Sequence, residues 1–186
     1  QYGGFDSART YCGARSRMYV EASAYDAFME RCREACRGVG VGDPMEEKSE
    51  MGPLISAAQK ARVAGFVDGL AEGEVAYRGA VPDGAGFWFP PTVVTGVAPD
   101  AAIQCEEVFG PVVTVTPFSG ETEVIAAANA TEYGLSGSIW TRDLSRALRV
   151  SKAVQSGNLS VNSNASVRYS TPFGGFKQSG LGRELG

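Results

Sequence analysis

The sequence has no histidine among its 186 residues. That excludes Ser-His-Asp and Cys-His catalysis within the chain, along with most catalytic zinc sites, and no metal site is expected. Long hydrophobic runs are also missing: none approaches the ~20 residues of a membrane span. Positive charge is scarce, with 17 Lys and Arg against 21 Asp and Glu, a net charge of −4 and no basic stripe. Neither nucleic acid nor an anionic membrane surface is therefore an expected partner. The four cysteines, Cys12, Cys32, Cys36 and Cys105, show no CxxC pair and no framework spacing. A disulfide scaffold is excluded, and reduced thiols fit a cytoplasmic compartment. The chain opens mid-pattern on "QYGGF" without a methionine, so it is expected to be part of a longer polypeptide.

What is present is an ordinary globular balance, 44% hydrophobic and 20% charged, with enough length to bury a core unaided. Alternation of Met18 and Val20 predicts a strand over 16–22. Ser23 is then placed to cap a helix to about Arg37, with Phe28, Met29, Cys32, Ala35 and Cys36 on one face. Cys32 and Cys36 read as two small apolar residues on that face, against half a metal site as the sharper alternative. A Gly- and Pro-rich loop over 38–56 precedes a second helix, 56–72, with Ala61, Ala64, Val67 and Leu70 as its apolar side. Strands follow over 74–81, 87–97, 112–118, 134–141 and 157–162, separated by helices over 121–131 and from Asp143, its cap, to about Val154. From Ser163 onward the pattern is mostly loop. This order predicts an α/β fold, a largely parallel sheet with flanking helices, with no internal domain boundary.

Three stretches carry chemistry. In "EEVFGPV" the Gly-Pro step bends the chain and exposes Glu106 and Glu107 at a strand mouth. Ligands in parallel sheets gather beyond the carboxyl ends of strands, where a carboxylate can accept from ribose hydroxyls and an aromatic can hold a planar ring. The competing reading is a solvated acidic turn. In "TPFGGFKQSGLGRELG" the glycines allow close backbone approach, and Lys177 and Arg183 could reach carboxylates or phosphates, yet neither this stretch nor "GVGVGD" at 38–43 is a phosphate loop. Cys12 sits near Arg9, Arg15 and Arg17, cations that can favour a thiolate; a buried structural thiol is the plain alternative. The sequons at Asn129, Asn158 and Asn164 read as chance.

Taken in order, Cys12, "MGPLIS", "FPPTVV", "EEVFGPV", "YGLSGSIWT" and "PFGGFKQSGLGRE" resemble the catalytic domain of the aldehyde dehydrogenase superfamily, across essentially all of residues 1–186. The resemblance implies NAD(P)-dependent oxidation of an aldehyde through a cysteine thiohemiacetal and thioester, with NAD or NADP as cofactor. It implies that Cys12 is the nucleophile, with its own backbone N–H as an oxyanion donor. It further implies that Glu107 binds the nicotinamide-side ribose, that Phe109 packs beside the nicotinamide, and that Gln59 lies near the cofactor. Phe173 then belongs to the aldehyde-entry pocket, and the loop over 163–171 shapes substrate choice. In style, "ARSR" and "VNSNASVRYSTPFGGFKQSG" are similar to the branch acting on amino- and betaine-type aldehydes or other small semialdehydes. The family's general-base glutamate, oxyanion asparagine and cofactor domain are expected upstream of Gln1, and its oligomerisation strand downstream of Gly186. A homo-oligomer is expected of the full-length protein, and negligible turnover of residues 1–186 alone.

The chain departs from the family around the nucleophile. "FDSARTYC" keeps Phe5 and Cys12 but has Ser7, Arg9 and Thr10 where the family has Asn, Gly and Gln. Arg9 either strains the backbone, by roughly 1–3 kcal/mol, or favours the thiolate; residue types leave both open. An inactive remnant with a structural or interaction role, and a reactive thiol indifferent to nicotinamide, are the competing functional readings.

Overall fold

A computed structural model describes residues 12–165 and 167–186. Phe5, Ser7, Arg9 and Thr10 lie outside the described residues. The chain groups into two compact units, Gln1–Phe118 and Ser119–Gly186.

The first unit is built on a four-stranded sheet. Its strands are β1 (Arg17–Glu21), β2 (Glu74–Arg78), β3 (Thr92–Thr95) and β4 (Val112–Phe118), in the order β1-β4-β3-β2. β4 runs parallel to both β1 and β3, and β2 closes one edge antiparallel. β-Branched residues fill the two central strands, where they pack well on a pleated surface. Alternation along them divides the core in two. Val93, Val113 and Val115 face one cluster with Val20 and Cys36, onto which α1 (Tyr25–Arg37) lays Phe28, Met29 and Cys32. Val94 and Val112 face the other, with Met51, Leu54, Ile103, Val108 and two valines of α2 (Ala57–Asp68), Val63 and Val67. Four-residue α3 (Ala102–Cys105) is latched to β4 by Gln104, whose amide accepts from Thr114 Oγ1 and donates to Thr116 Oγ1, both at 3.1 Å.

Three local expectations need correction. Ser23 does not cap α1: the chain passes through a 3-10 turn, Ala22–Ala24, so Ala24 takes the cap position with no side-chain bond. Ala35 is exposed, because the face that meets the sheet runs through Cys32 and Cys36. On α2 the buried face runs through Val63 and Val67, and Ala61 is exposed. Helical spacing identified the element, but small alanines say little about which side faces inward.

In the second unit, α4 (Glu121–Asn129), the pair β5 (Tyr133–Gly134) and β8 (Phe176–Lys177), the parallel pair β6 (Ser136–Ile139) and β7 (Asn158–Val161), and α5 (Leu144–Ala153) surround little apolar core. Asp143 caps α5 as its position predicts, accepting from the Arg146 N–H at 3.0 Å.

Candidate functional site

Cys12 is a free, exposed thiol in the turn just ahead of β1. Arg17, one of the cations near it in sequence, sends Nη1 to the Tyr19 hydroxyl at 3.4 Å. The other thiols differ in setting. Cys32 and Cys36 face the sheet one helical turn apart, and their mutual hydrogen bond together with burial pushes the Cys36 thiol up, away from reactivity at neutral pH. This is the packing role that their spacing implied. Among the described residues no cluster of three His, Cys, Asp or Glu is placed to hold a metal ion, and no helix is long and apolar enough to cross a membrane.

The "EEVFGPV" bend is a tightly organised turn. Glu106 and Glu107 are exposed, Val108 is 2% exposed, and Phe109 between the buried Val108 and Gly110 is half-buried. Phe109 has φ +54°, a left-handed conformation that costs a non-glycine residue roughly 1–2 kcal/mol. Three residues of α2 hold it there. Gln59 Nε2 donates to the Phe109 carbonyl at 2.8 Å and reaches the Val108 carbonyl at 3.4 Å. Arg62 Nη1 donates to the Val108 carbonyl at 2.8 Å while its guanidinium lies 4.8 Å over the Phe66 ring. Val63 packs so closely on Gly110 that a β-carbon there would come within 2.5 Å of it. Ser56 caps this helix, accepting from the Gln59 N–H at 3.1 Å, so the first turn of α2 is itself anchored.

Topology then relates this turn to the thiol. In the β1–β4 ladder Arg17 pairs with Thr114, and Cys12 and Phe109 stand equally far ahead of those partners. Both therefore precede the amino ends of neighbouring parallel strands. The expectation that the carboxylates would sit at the carboxyl end is corrected: the bend feeds into β4 rather than leaving it. Glu107 presents a carboxylate that can accept from hydroxyls, and Phe109 a partly open ring. Glu106 instead lines an open groove of about 550 Å³ with Arg62, Phe66, Leu70 and Ile103.

Phe173 stands in the second unit, half-buried, exchanging backbone hydrogen bonds of 2.7 and 2.9 Å with Glu184. Lys177 and Arg183 are taken up internally. Lys177 Nζ donates to the Asn129 and Thr131 carbonyls at 2.8 and 3.0 Å, and Arg183 Nη1 donates to those of Gly175 and Gly182. Sequence reasoning passed over Arg62 and Val63; their spacing from Gln59, three and four residues on, is the only trace they leave.

The chain belongs to the aldehyde dehydrogenase family, whose model matches residues 1–186. Among its relatives is a betaine aldehyde dehydrogenase of Mesorhizobium japonicum, 43% identical over 98% of this chain and 39% of that protein. Another, from Brucella melitensis, is 42% identical over 99% of this chain and 39% of its own length. Betaine aldehyde dehydrogenase of Staphylococcus aureus, solved in complex with NAD+, matches the fold with a TM-score of 0.91 and 35% identity, over 99% of this chain and 38% of that one. The chain thus spans 38% or 39% of the length of these relatives.

Proposed function

We propose that residues 1–186 are the catalytic portion of a longer NAD(P)-dependent aldehyde dehydrogenase, with Cys12 as nucleophile and the Glu107–Phe109 turn as the nicotinamide-side cofactor contact. The observation that carries this is the pairing of an exposed Cys12 with a left-handed Phe109 held rigidly on a neighbouring strand's approach. The residues of the turn fit such a cofactor: Glu107 offers an exposed acceptor for ribose hydroxyls, and Phe109 a ring edge for a planar heterocycle. When bound, the nicotinamide supplies a hydride acceptor.

The chemistry of the chain's own groups follows. The Cys12 thiolate attacks the aldehyde carbonyl carbon and forms a C–S bond, and the carbonyl electron pair moves onto oxygen. The backbone N–H of Cys12 is a donor for that oxyanion. As the oxyanion collapses to C=O, the carbon loses its hydrogen with the bonding electron pair, leaving a thioester on Cys12. Water then loses one proton as it adds to the thioester, the C–S bond breaks, and the carboxylic acid leaves and gives its own proton to solvent, with Cys12 returned as thiolate. The base that takes the water's proton is supplied from outside residues 1–186. Dividing the oxidation into two steps through a covalent intermediate lowers each barrier, and no step needs histidine.

The relatives' names point to a small cationic aldehyde of the betaine type. A homo-oligomer acting in the cytoplasm completes the reading. The test is the full-length parent with betaine aldehyde and NAD+. Aldehyde-dependent NADH formation should be lost at least ~10³-fold in Cys12→Ser, and NAD+ should alter the rate at which Cys12 is alkylated. A wild-type parent whose thiol is alkylated without regard to NAD+, and which forms no NADH, would overturn the proposal.

A further inference from the structure

We infer that Gln59 and Arg62 are positioning residues that act through the backbone of the Val108–Gly110 turn, so that α2 sets the aim of Glu107 and Phe109. This rests on the reading of that turn as the cofactor's nicotinamide-side contact, and it gives Gln59, expected near the cofactor, a part that runs through the backbone of the turn.

Both donors are directed at the turn. Gln59 Nε2 reaches the Phe109 carbonyl at 2.8 Å, and Arg62 Nη1 the Val108 carbonyl at 2.8 Å. These are consecutive carbonyls on either side of the φ +54° residue. A left-handed phenylalanine persists only where its surroundings over-determine it. Here one helix face supplies three fixings: two side-chain hydrogen bonds and the packing of Val63 on Gly110. The spacing of Gln59, Arg62 and Val63 puts all three on the same side of α2. The Ser56 cap holds the backbone from which Gln59 projects, and the Phe66 ring beneath the guanidinium restricts where Arg62 can point. Glu107, immediately before the clamp, has no side-chain contact of this kind to direct it, so the turn's conformation decides where its carboxylate goes. The chain thereby separates two tasks: Glu107 and Phe109 present chemistry, and Gln59 and Arg62 hold the frame that presents it.

Amide hydrogen exchange and steady-state kinetics on the full-length parent test this together. Gln59→Met keeps the length of the side chain and removes its donor; Arg62→Met removes the second donor from an exposed position. Either should speed exchange of the amides over 107–110 about tenfold, the loss of one hydrogen bond, with exchange over 63–68 of α2 unchanged. The NAD+ KM should rise by about the same factor with kcat and the aldehyde KM little altered, and Arg62→Lys, which keeps a donor, should restore most of both. Unchanged exchange over 107–110 in both Met variants would overturn the clamp. Faster exchange with an unchanged NAD+ KM in an active parent would overturn its role in aiming the turn. Faster exchange in a parent with no turnover would instead sink the functional reading and leave the clamp standing.

Discussion

The two units are stabilised by different means. In Gln1–Phe118 the work falls to apolar side chains: β3 is buried along its whole length, and Met51, Val63, Val94, Val112 and Val113 are each no more than 1% exposed. Among the described residues of Ser119–Gly186 only Ala147 and Val150 are buried hydrophobics, while Trp140, Leu144, Leu148 and Tyr169 are exposed. Polar side chains bonded to backbone take the place of a core there. Asn129 bridges the Ala153 carbonyl and the Gln155 N–H, Asn158 bridges the Pro172 carbonyl and the Gly174 N–H, and Asn162 bonds both the N–H and the carbonyl of Thr141. Two of these asparagines head sequons; their side chains are already engaged. Gly157 lies against the backbone of Gly174 and Gly175 with no room for a β-carbon. The comparison teaches that one sequence can specify two neighbouring regions by different signals, apolar periodicity in the first and turn-forming asparagine and glycine in the second.

Substitutions can break that contrast at graded strength. Met51→Ala should cost about 2–5 kcal/mol, because a fully buried side chain leaves a cavity; chemical denaturation of the parent reads it directly. Asn158→Ala should cost about 1–3 kcal/mol by leaving a carbonyl and an N–H without their bridge. A cost as large as that of Met51→Ala would show that the second unit depends on its bridges as heavily as the first on its core. Smaller still is the Glu121–Arg149 pair, bidentate at 2.9 Å on the surface. The Arg149 hydrogen bonds hold the Glu121 carboxyl below its usual range. A depressed carboxylate contributes stability that is complete above its unfolded pKa and lost as pH falls through the lower folded value. Wild type should therefore lose stability over Glu121→Gln only under acid conditions, and added salt should shrink the difference. Leu144→Ala should change stability by no more than about 0.5 kcal/mol, since the side chain is 73% exposed. A larger loss in the parent would mean that this residue is covered there.

The same contrast explains what the sequence made legible. Strands and helices over the first unit were readable because β-branched runs and helical spacing report burial directly; Val112–Phe118 falls where the pattern predicts it. The ends were less so: Ser23 is a good cap residue, yet the 3-10 turn moved the cap past it. In the second unit β8 pairs with β5 across a long stretch of chain, and two-residue strands leave no periodicity to read. Cys12 and the acidic turn stood out through motif resemblance. The clamp behind the turn did not, because a glutamine and an arginine donating to carbonyls look, in one dimension, like any polar helix surface.

The equal spacing of Cys12 and Phe109 from paired residues has a consequence for how the chain tolerates changes in length. Adding one residue between Cys12 and Arg17, or between Phe109 and Thr114, would break the equality of the two offsets from the Arg17–Thr114 pair. The 38–56 segment, by contrast, lies outside that measure, and extra residues there would leave the offset intact. A change of length thus alters the relation between Cys12 and Phe109 at a few positions and leaves it untouched at many, whatever the burial of the residues concerned.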